Sequence, residues 1–291
     1  MVHRTFHRVR SRGRGTSYTL RRGVLELALD MAYRGDWPAH LWEKFPGSCD
    51  VRVVKRTVPL LPSGASPVRF GFVSDIHIGP TSPPALLDAA FDALARAELD
   101  VLLLGGDYVF LEATNEKAAR LATLVSRVPA KKKIAVMGNH DLWTHHERLE
   151  RALESVNVEL LQNTHVEVAP DCVVVGLDEP WTGRIDAERA MQGVTASAIV
   201  VLCHSPDGLP DAIAHVHRDR ALYICGHTHG GHLSTPWGPI ITPGRFGKKY
   251  PHGFHEVSPF LLHVSRGVGA TEIPVRTFAP PEVAVLDVVA T

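Results

Sequence analysis

Apolar and polar positions along this chain of 291 residues repeat with two different periods. Leu20, Val24, Leu27, Ala28 and Met31 recur at helical spacing, which predicts a helix over 18–34 with arginines beside the stripe. Residues 51–58 read as an edge strand, followed by a Pro/Gly/Ser-rich turn at 59–67. Continuous apolar runs of strand length come next, at 68–74, 101–104 and 134–137. Helical stripes separate them: Leu87, Phe91 and Leu94 within 84–97, then Leu121, Leu124 and Val125 within 115–127. Uninterrupted apolar strands are expected where a sheet is covered on both faces. Strand–helix–strand alternation predicts an α/β fold with right-handed crossovers.

Beyond a helix near 145–155 the balance shifts toward strands, at 173–175, 199–202 and 221–224. Two closing runs, near 260–265 and 283–289, are expected to complete a second sheet. Between them, residues 235–255 are rich in Pro, Gly and aromatics and predict a long loop, a kind of segment that commonly carries function. No repeat and no linker interrupts the chain after residue 60. The expected organisation is a basic arm and helical extension over 1–50, followed by one unit over 51–291.

Charge and composition narrow the classes. Basic and acidic side chains number 31 each, so no overall field draws the chain to nucleic acid, and no basic groove is evident. The first 22 residues are the exception, with seven arginines and no acid. The helix that follows has two readings: it packs its stripe on the core, or it rests as a basic amphipathic helix on an anionic membrane surface. No stretch reaches the apolar length of a membrane span, and no apolar core of a secretory signal follows the arginines. Cys49, Cys172, Cys203 and Cys225 show no CxxC pairing, and three of them sit in or beside apolar strands. Reduced, buried thiols and a reducing compartment are expected. The expected location is the cytoplasm, with peripheral contact at the inner membrane surface as an extension of the second helix reading.

Histidine is unusually frequent, at 17 residues, and the strand ends explain where it gathers. The run 68–74 leads into Asp75 and His77, 101–104 into Asp107, and 134–137 into Asn139, His140 and Asp141. His204 follows 199–202, and His227 and His229 follow 221–224. Ligands of open α/β sheets bind beyond the carboxyl ends of the strands. An Asp after one strand is usually a turn or a cap; five such ends in one chain point to a metal centre built from carboxylate, imidazole and amide. That donor set suits Mn²⁺, Fe or Zn²⁺ better than Ca²⁺.

The five segments DIH, GGD, GNHD, a lone His and GHTH resemble the motifs of the calcineurin-like metallophosphoesterases. VSRGVG at 264–269, PVR at 274–276 and PPE at 280–282 extend the likeness to the branch of small bacterial phosphodiesterases related to the YkuE and YaeI proteins. The resemblance covers roughly 68–281. It implies a four-layer αββα sandwich with two mixed β-sheets and a dinuclear metal site that hydrolyses a phosphate ester by attack of metal-bound hydroxide. Carried over by motif, Asp75, His77 and His229 would hold one ion, Asn139, His204 and His227 the other, and Asp107 would bridge both. His140 would assist the leaving group, with Asp141 orienting it and favouring its charged form; as a helix cap Asp141 would serve equally well.

The likeness implies two divalent metal ions, manganese first, and a small-molecule or lipid-linked phosphate ester as substrate, with no nucleic acid. Two rival readings are a nucleotide–lipid pyrophosphatase of UDP-diacylglucosamine type and a non-catalytic scaffold on the same fold. His145 and His146 are expected as exposed helix residues, and Asp178-Glu179 as a turn. Arg245, Lys248, Lys249 and Arg266 are weaker candidates for substrate phosphate. His232 departs from the family's usual Gln.

Overall fold

A computed structural model describes residues 18–291; the arginine-rich arm up to residue 17 lies outside the described residues. In chain order the elements are α1 (Leu20–Ala32), α2 (Trp37–Trp42), β1 (Arg52–Leu61), β2 (Val68–Val73), α3 (Pro84–Ala95), β3 (Leu99–Leu104), α4 (Asn115–Ser126) and β4 (Ala130–Ala135). Then follow α5 (Asn139–Leu142), α6 (His146–Glu154), β5 (Val158–Leu160), β6 (Thr164–Ala169), β7 (Cys172–Gly176), α7 (Ala187–Met191), β8 (Ala198–Leu202), α8 (Leu209–His215) and β9 (Ala221–Cys225). The chain closes with a two-residue hairpin β10 (Ser234–Thr235) and β11 (Gly238–Pro239), α9 (Arg245–Lys249), β12 (Gly253–Val257), β13 (Phe260–Val264) and β14 (Glu282–Ala290).

Two six-stranded mixed sheets form, in the orders β1-β14-β2-β3-β4-β5 and β12-β13-β9-β8-β7-β6. Strands β2 to β5 are mutually parallel, as are β13, β9, β8 and β7, so their carboxyl ends gather along one edge of each sheet. Side-chain alternation then sorts each strand between layers. Val101 and Leu103 of β3 meet Val200, Leu202, Leu222 and Ile224 between the sheets. Leu102 and Leu104 turn outward onto α3 and α4, while Val201, Tyr223 and Cys225 face α7 and α8 on the far side. The result is the expected four-layer αββα sandwich. All four cysteines are free, with Cys172, Cys203 and Cys225 buried.

Two expectations fail here for physical reasons. The last strand does not join the second sheet. β14 inserts between β1 and β2, parallel to the first and antiparallel to the second. Its Ala284, Leu286 and Val288 reach the inter-sheet core while Val283 and Val285 face the helices. The apolar run suits either sheet; pairing decides.

Helix α1 does not bury its apolar stripe: Leu20, Val24 and Met31 are 65%, 56% and 55% exposed. The opposite, polar stripe faces the protein instead. Arg22 Nε bonds Glu26 (2.8 Å), Arg22 Nη1 bonds Glu272 (2.5 Å), and the Tyr33 hydroxyl donates to the Glu272 carbonyl (2.8 Å). The reading in which the stripe packs on the core is therefore excluded.

His263 of β13 is fully buried, stacked on Phe254 and edge-on to Phe72. Burial pushes its imidazole down to about 4. Between pH 4 and the ordinary histidine value the unfolded chain binds a proton that the folded chain does not, so stability falls as pH falls through that window. His263→Phe is expected to flatten the acid-side loss, by about 2–3 kcal/mol near pH 4. Urea unfolding of both proteins from pH 4 to 7 checks this; parallel pH profiles would refute it.

Candidate metal centre

The strand ends meet in a buried cluster. Asp75, His77 and His229 form one group of potential ligand atoms, and Asp107, His204 and His227 a second, each with its atoms within 4.8 Å of one another. Asp107 Oδ2 lies between them, 3.6 Å from His77 Nε2 and 3.3 Å from His204 Nε2. Across each group the imidazoles crowd together: His77 Nε2 stands 3.2 Å from His229 Nε2, and His227 Nδ1 3.1 Å from His204 Nε2. Asn139 lies beside them on the wall of the same cavity, which encloses about 390 Å³.

Backbone geometry enforces this crowding. Asp75, His77, Asp107, His227 and His229 all have left-handed φ, between 46° and 70°. For side chains other than glycine this costs on the order of 1–3 kcal/mol each and persists where surrounding structure imposes it. Two glycines make room. A Cβ on Gly138 would fall 2.1 Å from Asp107 Oδ1, and one on Gly226 2.1 Å from Asp75 Oδ2.

Burial opposes every charge here, and the neighbours decide which survive. Burial would raise the Asp107 carboxyl, but the charge of His204 outweighs it and holds it well below the ordinary range. Asp107 in turn lifts His204 to about 10, against burial. Burial drives His227 and His229 well below the usual imidazole value, and lowers His77 as well.

The donor set fits divalent cations on structural grounds. Asn139 Oδ1 and His227 Nε2 are buried and have no hydrogen-bond partner. His204 Nδ1 lies 2.8 Å from the Gly105 carbonyl, an arrangement that aims Nε2 into the cluster.

Asp141 takes the capping role, accepting the N–H of Gly138 at the N-cap of α5, and extends it to the neighbouring strand end. Its Oδ2 accepts from the N–H groups of Asp107 (2.8 Å) and Gly138 (3.0 Å), and its Oδ1 from those of Tyr108 (2.8 Å) and Val109 (3.4 Å). It clamps two strand ends together rather than orienting His140. Nor is His140 held charged. Burial, with Arg22 and His77 adding to it, outweighs Asp107 and lowers it to about 3. Its ring sits at the cavity wall against Trp143, His77 and Phe110, at 4.8, 4.9 and 5.8 Å.

Other expectations are corrected. His146 is buried, and His145 bonds Glu112 (2.8 Å) with its side chain 12% exposed, so neither is a free surface histidine. Asp178 and Glu179 are buried and lead into a turn at 180–182 rather than forming one. Glu179 accepts from the N–H groups of Trp181 and Thr182, setting the Trp181 ring edge-on to His227 at 4.4 Å. Arg266 is engaged by Glu282 (2.6 Å) and His252. Arg245, Lys248 and Lys249 are exposed on α9 and do not line the cavity. His232 does line it, with Nε2 2.7 Å from the Ile273 carbonyl.

Sequence reasoning missed Trp143, Trp181, Arg22 and Glu272, all on the cavity wall. Isolated aromatics and a charge 53 residues ahead of Asp75 leave no local signal.

Residues 68–231 match the calcineurin-like phosphoesterase family model. The chain belongs to that family. It is a metallophosphoesterase, a hydrolase of phosphoric ester bonds, in a family that uses divalent metals. It is 27% identical to phosphodiesterase YaeI of Escherichia coli (strain K12), over 81% of this chain and 88% of that one. It is 25% identical to the metallophosphoesterase YkuE of Bacillus subtilis (strain 168), over 78% and 80%. UDP-2,3-diacylglucosamine pyrophosphatase LpxG of Chlamydia muridarum (strain MoPn / Nigg) is 24% identical, over 74% and 81%.

Removing the Asp141 clamp should loosen both strand ends. Asp141→Asn keeps the size but turns an amide donor against backbone donors, an expected loss of about 2–3 kcal/mol. Denaturant unfolding of metal-free protein reads it; an unchanged midpoint would contradict the clamp.

Proposed function

We propose that this metallophosphoesterase cleaves phosphodiesters at a dinuclear centre. Asp75, His77 and His229 would hold one cation, Asn139, His204 and His227 the other, and Asp107 would be shared. The observation that carries this reading is the position of Asp107 Oδ2 between the two imidazole groups. Two divalent ions, manganese by preference, would ionise a water near neutral pH and clamp a phosphoryl centre.

The protein's own residues do the rest. His204 gives up its proton to present a lone pair, which couples loading of the site to pH. His140, neutral at working pH, donates an N–H hydrogen bond to the departing oxygen rather than a standing proton. Asp141 is a positioning residue that acts through Asp107 and the GNHD turn. Trp143 and Trp181 stand on the cavity wall and keep bulk water from the reacting centre.

A second reading, cleavage of a nucleotide–lipid pyrophosphate, is favoured by the upper wall of the cavity. Leu233, Ile240, Ile241, Pro243 and Ile273 make that wall apolar above a polar floor. LpxG, whose name gives a nucleotide–lipid substrate, supports this reading by likeness alone. A scaffold is not favoured, because every ligand-type side chain of the motif set is in place.

Asp107→Asn is expected to impair both ions together, because the shared charge is lost. Metal analysis of fully loaded wild-type protein should give two ions per chain, and a single ion would defeat the dinuclear reading. His140→Ala should keep both ions and lose about 10²–10³ in turnover. The loss should be smaller for nitrophenyl diesters, whose leaving group needs less help. Equal losses for good and poor leaving groups would move His140 to the phosphoryl oxygens, and loss of metal would overturn its role.

A further inference from the structure

Exposed apolar side chains are not scattered over this molecule. Twelve of the fourteen large ones exposed among the described residues fall within two stretches, 20–45 and 237–278. Both stretches border the cavity of the candidate site, through Arg22 on one side and Ile240, Ile241 and Ile273 on the other.

The rim of that cavity is a connected structure. Leu233 bridges Thr277, the Ser234 N–H donates to the Thr277 carbonyl (2.9 Å), and His232 Nε2 meets the Ile273 carbonyl. These bonds tie the β10–β11 hairpin to residues 273–278. Trp237 at the hairpin tip is 93% exposed, with Ile240, Ile241 and Phe278 at 64%, 76% and 67%. Helix α1 joins the same rim through Glu272. Arg22 and Tyr33 hold that residue from one face of the helix, while Leu20, Val24 and Met31 stand on the opposite face in solvent. An amphipathic helix packed polar side inward leaves an apolar face uncovered.

Charge identifies the occupant. From Arg220 to His255 the sequence holds no acid, while exposed Arg245, Lys248 and Lys249 follow the apolar hairpin. Residues 1–17 carry five arginines and no acid, and they join the chain directly ahead of α1. Asp30, Asp36 and Glu43, exposed on or near α1, are set against these positive charges, with Arg21, Arg34 and Lys44 exposed beside them. Apolar tips flanked by cations, with a tryptophan foremost, match the interface of an anionic bilayer.

We propose that the mouth of the site docks on an anionic lipid surface through Trp237, Ile240, Ile241, Ile273 and Phe278, with α1 and the flanking cations beside it. The substrate is then the phosphate-ester head of an amphiphile taken from that surface. This rests on the phosphoesterase reading and narrows its substrate to a class with an apolar tail. The apolar upper wall receives the start of the tail while the head reaches the polar floor around Asp107 and Asn139.

The test uses the full chain in co-sedimentation with vesicles of phosphatidylcholine alone and of phosphatidylcholine mixed with phosphatidylglycerol, at low and physiological salt. Binding to the mixed vesicles is expected to exceed binding to neutral ones by about tenfold or more, and to weaken with salt. Trp237→Ser, and separately Lys248→Glu with Lys249→Glu, should each weaken binding by about tenfold. None of these residues lines the cavity, so turnover of soluble bis(p-nitrophenyl) phosphate with Mn²⁺ should stay at the wild-type level, which also verifies folding.

Wild-type binding that ignores lipid charge, or variants that bind as wild type does, would overturn the proposal. So would a wild-type dimer in light scattering that Trp237→Ser dissolves, because a second copy would then be covering the rim. Failure of the soluble diester with Mn²⁺, Fe²⁺ and Zn²⁺ alike would instead count against the phosphoesterase reading, and vesicle binding would stand or fall separately.

Discussion

A single buried carboxylate, Asp107, lies between two groups of histidines contributed by both sheets, and the architecture around the site depends on keeping it there. Its charge survives burial because His204, itself held protonated by Asp107, faces it. Its backbone is fixed because Asp141 accepts its N–H. Its side chain fits because Gly138 leaves no Cβ in its way. Asp107 and its N–H partner Asp141 stand on different strand ends of the first sheet. His204 comes from the second sheet. The packing of sheet on sheet therefore sets the spacing of the site.

The energetic character of the cluster follows from that packing. Five non-glycine residues in left-handed geometry, together with buried imidazoles pushed toward neutrality, make a locally unfavourable arrangement. The cores on either side hold it in place. Val101 and Leu103 interlock with the second sheet at the same strand that delivers Asp107. Such a site has lone pairs directed inward and few protons to satisfy them, which is the condition under which a cation is the natural partner. The aromatic rings of Trp143 and Trp181 share the cavity wall with this cluster and with the aliphatic Ile240, Ile241 and Ile273.

Helix α1 shows how one ion pair can override a hydrophobic pattern. By composition its stripe belongs inside. Arg22, however, is held between Glu26 and Glu272 and lies over the Trp143 ring at 4.9 Å. Those contacts are partly desolvated and specific in direction, whereas burial of the stripe is non-directional and needs a surface to receive it. Where the helix meets the cavity wall, Glu272 and Trp143 offer partners to its polar face. The helix is thus tied to the site by its polar face.

Local chemistry made much of this protein legible from sequence. Continuous apolar runs revealed the parallel strands where both faces are buried, as in β7, β8 and β9. β4 instead carries lysines at 131–133, and only its end at Ile134 and Ala135 carries the apolar signal. Asp, Asn and His directly after those runs revealed the cluster because strand ends of one sheet converge on one edge. Three features were decided by tertiary structure alone. β14 pairs between β1 and β2 because hydrogen-bond partners distant in sequence were free there, and an apolar strand carries no label for its sheet. Asp141 became a backbone clamp and His140 a neutral imidazole because the dielectric and the donors around them come from other segments. α1 turned its apolar face outward because Glu272, 250 residues away, holds Arg22. Sequence records what each residue can do; which of its partners wins is settled by distances that exist only once both sheets have packed.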